Sequence, residues 1–247
     1  MIRTLAAITS ILWSSYIFAA TNDEIVNFLS VHEVPDSLSI LPPPPTENTV
    51  QWNADKQAFI QTRHFEGTRR WKLAIADANL SANHMGDAFS DVLGIDISPR
   101  TTPKLIEVLK RVRGDSARLA VRSAKLEYMR IRPFVQFNTH SCTPESEEAL
   151  SGNGSYPSGH ASYGWAAALV LVELVPEKQN ALLARGYDFG QSRVVCGVHW
   201  QSDVDAGRLM GSAAYARLHA KPEFISALAE ASKELQELGV LKNSLGK

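Results

Sequence analysis

The stretch GSYPSGHASYGWAAALVLVELVP, residues 154–176, decides how this chain is read. Its second part, Ala161 to Val175, is an apolar run closed by Pro176. At 15 residues, with Glu173 inside it, the run is shorter than the roughly 20 apolar residues a membrane span needs. A helix apolar on every side is a buried one, so the sequence predicts a central helix with the rest packed around it. The first part, Gly154 to His160, then sits at that helix's N-terminus. Unpaired backbone N–H groups and the positive end of the helix dipole favour an anion there. Gly159 lets backbone approach closely, Ser158 can cap the helix or donate to an anion, and His160 stands at the mouth, placed to pass a proton.

Working outward, helical spacing dominates. From Gln51 to Leu93 apolar residues recur at that period through Phe59, Trp71, Leu73, Ala74, Ala78 and Phe89. Gly94 to Thr102 is a break, and Pro103 suits a helix first turn. Leu105, Val108, Leu109 and Val112 mark one face of that helix. Gly114 is expected to end it, with Asp115 or Ser116 capping a next helix from about Ala117 to Arg130. Residues 134–156 are polar and read as loop, 177–191 as helix, and 199–218 as a helix rich in small residues. Phe224 to Leu238 reads as a closing amphipathic helix, and Leu41 to Pro45 as an extended surface arm. No run alternates as a strand and no repeat is present. The expected fold is all-α, a single compact helical domain.

The bulk numbers agree. A chain of 247 residues can bury most of its apolar surface, and 45% hydrophobic with 21% charged residues is a globular balance. The net charge of −1 gives no reason to expect nucleic acid or an anionic membrane as partner. Attraction for an anionic small molecule must be local. Residues 1–20 have the layout of a signal peptide: Arg3, an uncharged Leu5 to Ala20, small Ala19 and Ala20, then polar Thr21 to Glu24. Phe18 departs from the small residue usual near such a cleavage site. Residues 21–247 are then the folded domain, exported to the periplasm or beyond. In an exported chain an even pair of cysteines, Cys142 and Cys196, predicts one disulfide. It would tie the Thr139–Glu145 loop to the segment around His199.

Two further blocks join the first. Lys125 and Arg132 are spaced K-x6-R, followed by Pro133, which on one helix would place both cations on a shared face. Ser192-Arg193 is followed by His199 and Asp203 in the spacing S-R-x5-H-x3-D. On a helix His199 and Asp203 would face each other. A carboxylate on one imidazole nitrogen leaves the other with a nucleophilic lone pair. Guanidinium forks and an ammonium grip phosphate oxygens. No dinucleotide fingerprint, nucleophile elbow, Walker loop or H-E-x-x-H is present. No metal and no cofactor is expected. Chemistry with His199 neutral and His160 protonated needs their pKa values pushed apart, and predicts a weakly acidic optimum.

Taken together, the three blocks resemble the superfamily of type-two phosphatidic acid phosphatases and vanadium haloperoxidases. More narrowly, the chain is similar to the bacterial class A non-specific acid phosphatases. The likeness extends to the Leu41–Pro45 arm, Ala76 to Ser81, Arg122 to Lys125, Tyr128 to Phe134, Gly190 to Arg193 and His199 to Ala206. It implies an all-α periplasmic enzyme hydrolysing nucleotide, sugar and aryl phosphates without a metal, with phosphotransfer as a side activity. Members are usually homo-oligomers. It assigns the nucleophile to His199, its orienting partner to Asp203 and the leaving-group acid to His160. Lys125, Arg132, Ser158, Gly159 and Arg193 would hold the phosphate. Ala161, where the group usually has threonine, and Val135 to Asn138 depart from its pattern near the expected pocket. The alternatives sharing these blocks are a vanadate-dependent haloperoxidase, a membrane lipid phosphatase and a non-enzymatic exported anion-binding protein.

Overall fold

In the computed structural model, which describes residues 27–240, the chain is built from helices. They are α1 (Ser37–Ile40), α2 (Val50–Thr62), α3 (Arg69–Ala76), α4 (Ala82–Leu93), α5 (Pro103–Arg113), α6 (Arg122–Tyr128), α7 (Pro133–Gln136), α8 (Glu147–Ser151), α9 (Gly159–Leu174), α10 (Gln179–Cys196), α11 (Gln201–Leu218) and α12 (Pro222–Glu237). No strand occurs among the described residues. The segment expected as a signal peptide lies outside them. No helix among them is long and apolar enough to cross a membrane.

Helix α9 is the predicted central helix, with buried residues around its whole circumference. Helices α10 and α11 pack against it most extensively, and small residues set how closely. A Cβ at Gly211 of α11 would stand 2.4 Å from the Ser162 carbonyl oxygen of α9. Backbone cannot yield as a flexible side chain can, so Gly211→Ala forces the two helices apart. Overpacking of this kind costs about 1–3 kcal/mol. The expected result is a melting temperature lower by about 4–8 °C, read by calorimetry. An unchanged value would mean that the helices separate freely here.

Start signals behave as the chemistry predicts. Thr49, Thr68 and Ser81 each accept a backbone N–H as N-caps of α2, α3 and α4. Helix α5 has no side-chain cap of its own. Instead Glu234 of α12 accepts the Lys104 and Leu105 N–H groups, both at 3.0 Å. The amphipathic C-terminal helix is thereby seated inward on α5, with Phe224, Leu228, Ala231 and Leu235 buried. The Leu41–Pro45 arm is extended as expected, held by buried Leu41 and by Tyr156 Oη donating to the Pro42 carbonyl at 3.0 Å.

Several boundaries differ from the sequence reading. The span read as one helical pattern from Gln51 to Leu93 is three helices, α2 to α4. Gly114 is the C-cap of α5, which ends at Arg113 as expected, but it makes no left-handed turn. Its dihedrals stay right-handed, φ −60° and ψ −47°, and a π-helical segment, Gly114–Leu119, continues the chain. Asp115 is no cap: it is buried, and its carboxylate accepts the N–H groups of Phe28 and Leu29 at 3.1 and 2.9 Å. Burial raises its pKa to about 6. The helix expected over 117–130 begins only at Arg122 and closes at Tyr128, because Met129 takes a left-handed conformation, φ 39°. The region read as loop, 134–156, carries α7 and α8. Helix α10 runs five residues past the expected 191, to Cys196, and α11 starts after His199.

Candidate active site

The N-terminus of α9 is where the three blocks meet. Ser158 caps the helix, its Oγ accepting Ala161 N–H at 3.3 Å, and its own N–H donates to the Asp203 carbonyl at 2.9 Å. That bond ties the second block to the third. It also commits the Ser158 N–H, so the amides of Gly159 and His160 are what the helix end presents. The Ser158 hydroxyl hydrogen stays available, since a hydroxyl that accepts can also donate. The close approach that Gly159 permits is to the chain itself: a Cβ there would sit 2.5 Å from the Ala117 carbonyl oxygen. Glycine lets the start of α9 rest on the π-helical turn. His160 Nε2 lies 3.0 Å from the Ala78 carbonyl oxygen. A carbonyl only accepts, so Nε2 carries the hydrogen and Nδ1 is the nitrogen left to face the site.

The three cations converge, though not along one helix face. Lys125 is in α6 and Arg132 lies beyond the Met129 reversal. They meet at the Gly154 carbonyl, which accepts from Lys125 Nζ at 2.7 Å and from Arg132 Nη2 at 3.4 Å. Arg132 is locked further by Nε donating to Leu150 O at 2.8 Å and Nη1 donating to Val198 O at 3.0 Å. Arg193, on α10, is 2% exposed. Its Nε and Nη1 are buried without any hydrogen-bond partner. Burial, with Arg132 beside it, lowers its pKa to about 9. Burial lowers that of Arg132 to about 10, and burial with Arg132 lowers that of Lys125 to about 7. A cluster of cations with unmet donors is electrostatically unfavourable when empty and complementary to a multiply charged anion.

His199 precedes α11, yet still faces Asp203. Asp203 sits in the first turn, where its Oδ2 accepts Trp200 N–H at 2.9 Å and lies 3.3 Å from His199 Nδ1. The pairing expected from helical spacing is thus made by capping geometry at a helix start. Nδ1 carries the hydrogen toward the carboxylate, leaving the lone pair on Nε2, which lies 3.2 Å from Arg132 Nη1. Burial, then Arg132, Lys125 and Arg193, hold the His199 pKa well below the usual imidazole value. Burial and Arg193 do the same to His160. The two histidines are thus pushed in the same direction, not apart.

Cys142 and Cys196 form a disulfide, and Cys142 N–H donates to Cys196 O at 2.9 Å. The bridge fastens the 139–145 loop to the end of α10, between Arg193 and His199. Ala161 does not line the pocket as its neighbourhood suggested. It is fully buried, facing Gly190 of α10 and Gly207 of α11. Phe137 stacks on Phe59 with ring centroids 4.9 Å apart.

The PAP2 superfamily profile matches residues 116–223, a span holding every residue above from Lys125 to Asp203. A non-specific acid phosphatase of Salmonella typhimurium is 45% identical over 218 residues, 88% of this chain and 86% of that protein. One from Providencia stuartii is 44% identical, covering 85% of each chain. An acid phosphatase of Zymomonas mobilis is 39% identical over 82% of this chain and 76% of its own. The chain belongs to the PAP2 superfamily, among the non-specific acid phosphatases.

Within this PAP2 chain, sequence reasoning missed the residues that hold the histidines' partners. Arg130 reaches Asp203 and Asp55. It had a signal, standing two residues before Arg132 in an R-I-R-P run. Asp55, on α2, had none. Asp77 precedes Ala78, whose carbonyl holds His160. It is fully buried and receives Arg185 at 2.6 Å and Ser192 Oγ at 2.6 Å. The serine of the third block thus serves that carboxylate.

Proposed function

We propose that this chain is an acid phosphatase that hydrolyses small-molecule phosphomonoesters outside the cytoplasm, through a phosphohistidine on His199 and without a metal. The observation that carries this reading is the buried, unpartnered edge of Arg193 in a cation cluster around a histidine whose lone pair is fixed on Nε2. The phosphoryl oxygens supply the partners that Arg193 lacks and extend toward Arg132, Lys125, Ser158 Oγ and the Gly159 and His160 amides. These donors neutralise charge on the equatorial oxygens as the transition state forms. The His199 Nε2 lone pair forms the N–P bond while the P–O bond to the alcohol breaks, and the electron pair leaves on the alcohol oxygen. His160 gives that oxygen its Nδ1 proton. In the second half His160 takes a proton from water, the water oxygen attacks phosphorus, and the N–P bond returns its electrons to His199.

The low His160 pKa of the empty site fits this scheme once the ligand's charge is counted. Burial depresses it first, and Arg193 and Arg132 add to that; an incoming phosphate anion offsets the two cations, and the scheme requires His160 to take up its proton as substrate binds. The disulfide and the residue 1–20 pattern support the exported location.

The sign of the pH effect follows from Lys125. Its pKa of about 7 means the ammonium is charged below that pH and neutral above it. A neutral amine attracts no anion, so affinity is lost as pH rises through 7. For an aryl phosphate, KM is expected to climb several-fold from pH 6 to 9, with turnover of nucleotide and sugar phosphates in the same panel and no loss under a chelator. Flat KM values would overturn the Lys125 role. Loss under chelator, restored by zinc or magnesium, would overturn the metal-free reading.

A further inference from the structure

Arg130 lies outside the three blocks, yet it is the group that holds the carboxylate of the third. Its Nη1 donates to Asp203 Oδ1 at 2.6 Å and to Ser202 Oγ at 2.7 Å, and its Nη2 to Asp55 Oδ2 at 2.7 Å. The side chain is 8% exposed, between carboxylates that are 0% and 3% exposed. Asp55 is itself fixed, accepting Ser202 N–H at 2.8 Å and the Ser202 hydroxyl. The guanidinium lies 5.2 Å over the Trp200 ring, whose Nε1 donates to Ile131 O at 2.8 Å. A planar fork reaching two carboxylates at once is something an ammonium cannot reproduce.

The consequence concerns which Asp203 oxygen faces His199. Oδ2 is shared between Trp200 N–H and His199 Nδ1, and Oδ1 has Arg130. Without Arg130, Oδ1 is buried with no other hydrogen-bond partner among the described residues, and the carboxylate gains freedom to turn. His199 Nδ1 then loses its fixed acceptor, and the hydrogen redistributes between the ring nitrogens. We propose that Arg130, anchored by Asp55, is a positioning residue that clamps Asp203 so that His199 keeps its lone pair on Nε2. This rests on the reading of His199 as nucleophile.

The test uses the full mature enzyme with 15N-labelled histidine. Arg130→Met is expected to lower kcat by about 10–100-fold, as loss of an outer orienting partner does, with KM for an aryl phosphate within about threefold. The His199 15N resonances should move from one tautomer to a mixture. Arg130→Lys, which keeps charge but not the fork, should recover part of kcat, and Asp55→Asn should show a smaller loss with the same spectral trend. A lowered melting temperature with kcat and tautomer unchanged would overturn the proposal. Should Arg130→Met fail to fold, Arg130→Lys and Asp55→Asn decide it: wild-type kcat and spectrum in both overturn it. Labelled substrate on wild-type enzyme separates the two readings. No label on His199 removes the nucleophile and this clamp together, whereas label on His199 with full kcat in Arg130→Met removes the clamp alone.

Discussion

His199→Ala is expected to reduce kcat by about 10⁴-fold or more, the scale on which removal of a covalent nucleophile acts. The imidazole has no substitute nearby. His160 has its Nε2 committed to the Ala78 carbonyl, and the other groups around the phosphate site are cations, a serine hydroxyl serving as a helix cap, and amides. Wild-type enzyme quenched in alkaline denaturant should carry an acid-labile, base-stable phosphoryl group from labelled substrate, and His199→Ala should carry none. His199 is 3% exposed, so the variant's melting temperature must be recorded beside kcat. Folded variant with near-normal turnover would remove the phosphohistidine from the mechanism.

Arg193→Met is expected to act in opposite directions on activity and stability. Two guanidinium nitrogens are buried without partners, and Arg132 stands close enough to disfavour the charge. Replacing an uncompensated buried charge with an apolar side chain of similar length is neutral to stabilising, by about 1–4 kcal/mol. The phosphate-free melting temperature should therefore hold or rise, by about 2–4 °C for each kcal/mol gained. Turnover should collapse if, as proposed, the same nitrogens meet developing phosphoryl charge; one such donor is worth about 10²–10³ in kcat. Added inorganic phosphate should raise the wild-type melting temperature by mass action and leave that of Arg193→Met nearly unmoved. A variant both inactive and destabilised without phosphate would show that Arg193 is a packing residue, not a waiting anion grip.

What could be read in advance divides along a physical line. Helix α9 was legible because all-round apolarity is a property of composition, independent of where neighbours lie. The cations, histidines and carboxylate were legible because phosphate chemistry restricts residue type. Gly114 marked the end of α5 but not the conformation that follows, since whether a glycine turns left-handed depends on what packs there. Here the start of α9 rests on Ala117, and the chain continues as a π turn. The His199–Asp203 pair was anticipated for the wrong geometric reason: spacing four suits both a helix face and a residue just ahead of a capped first turn. Arg130 and Asp55 are 75 residues apart, and no local period encodes such a bond.

An ester and the inorganic ion it leaves behind present the same headgroup to Arg193, Arg132 and Lys125. A grip left unsatisfied when vacant therefore holds the spent ion as well as the fresh ester. As the ion accumulates, its rebinding competes with the ester for the same groups. On the proposed reading, turnover is expected to be fastest where phosphate is scarce and to slow where it is plentiful, with no second site needed for the restraint.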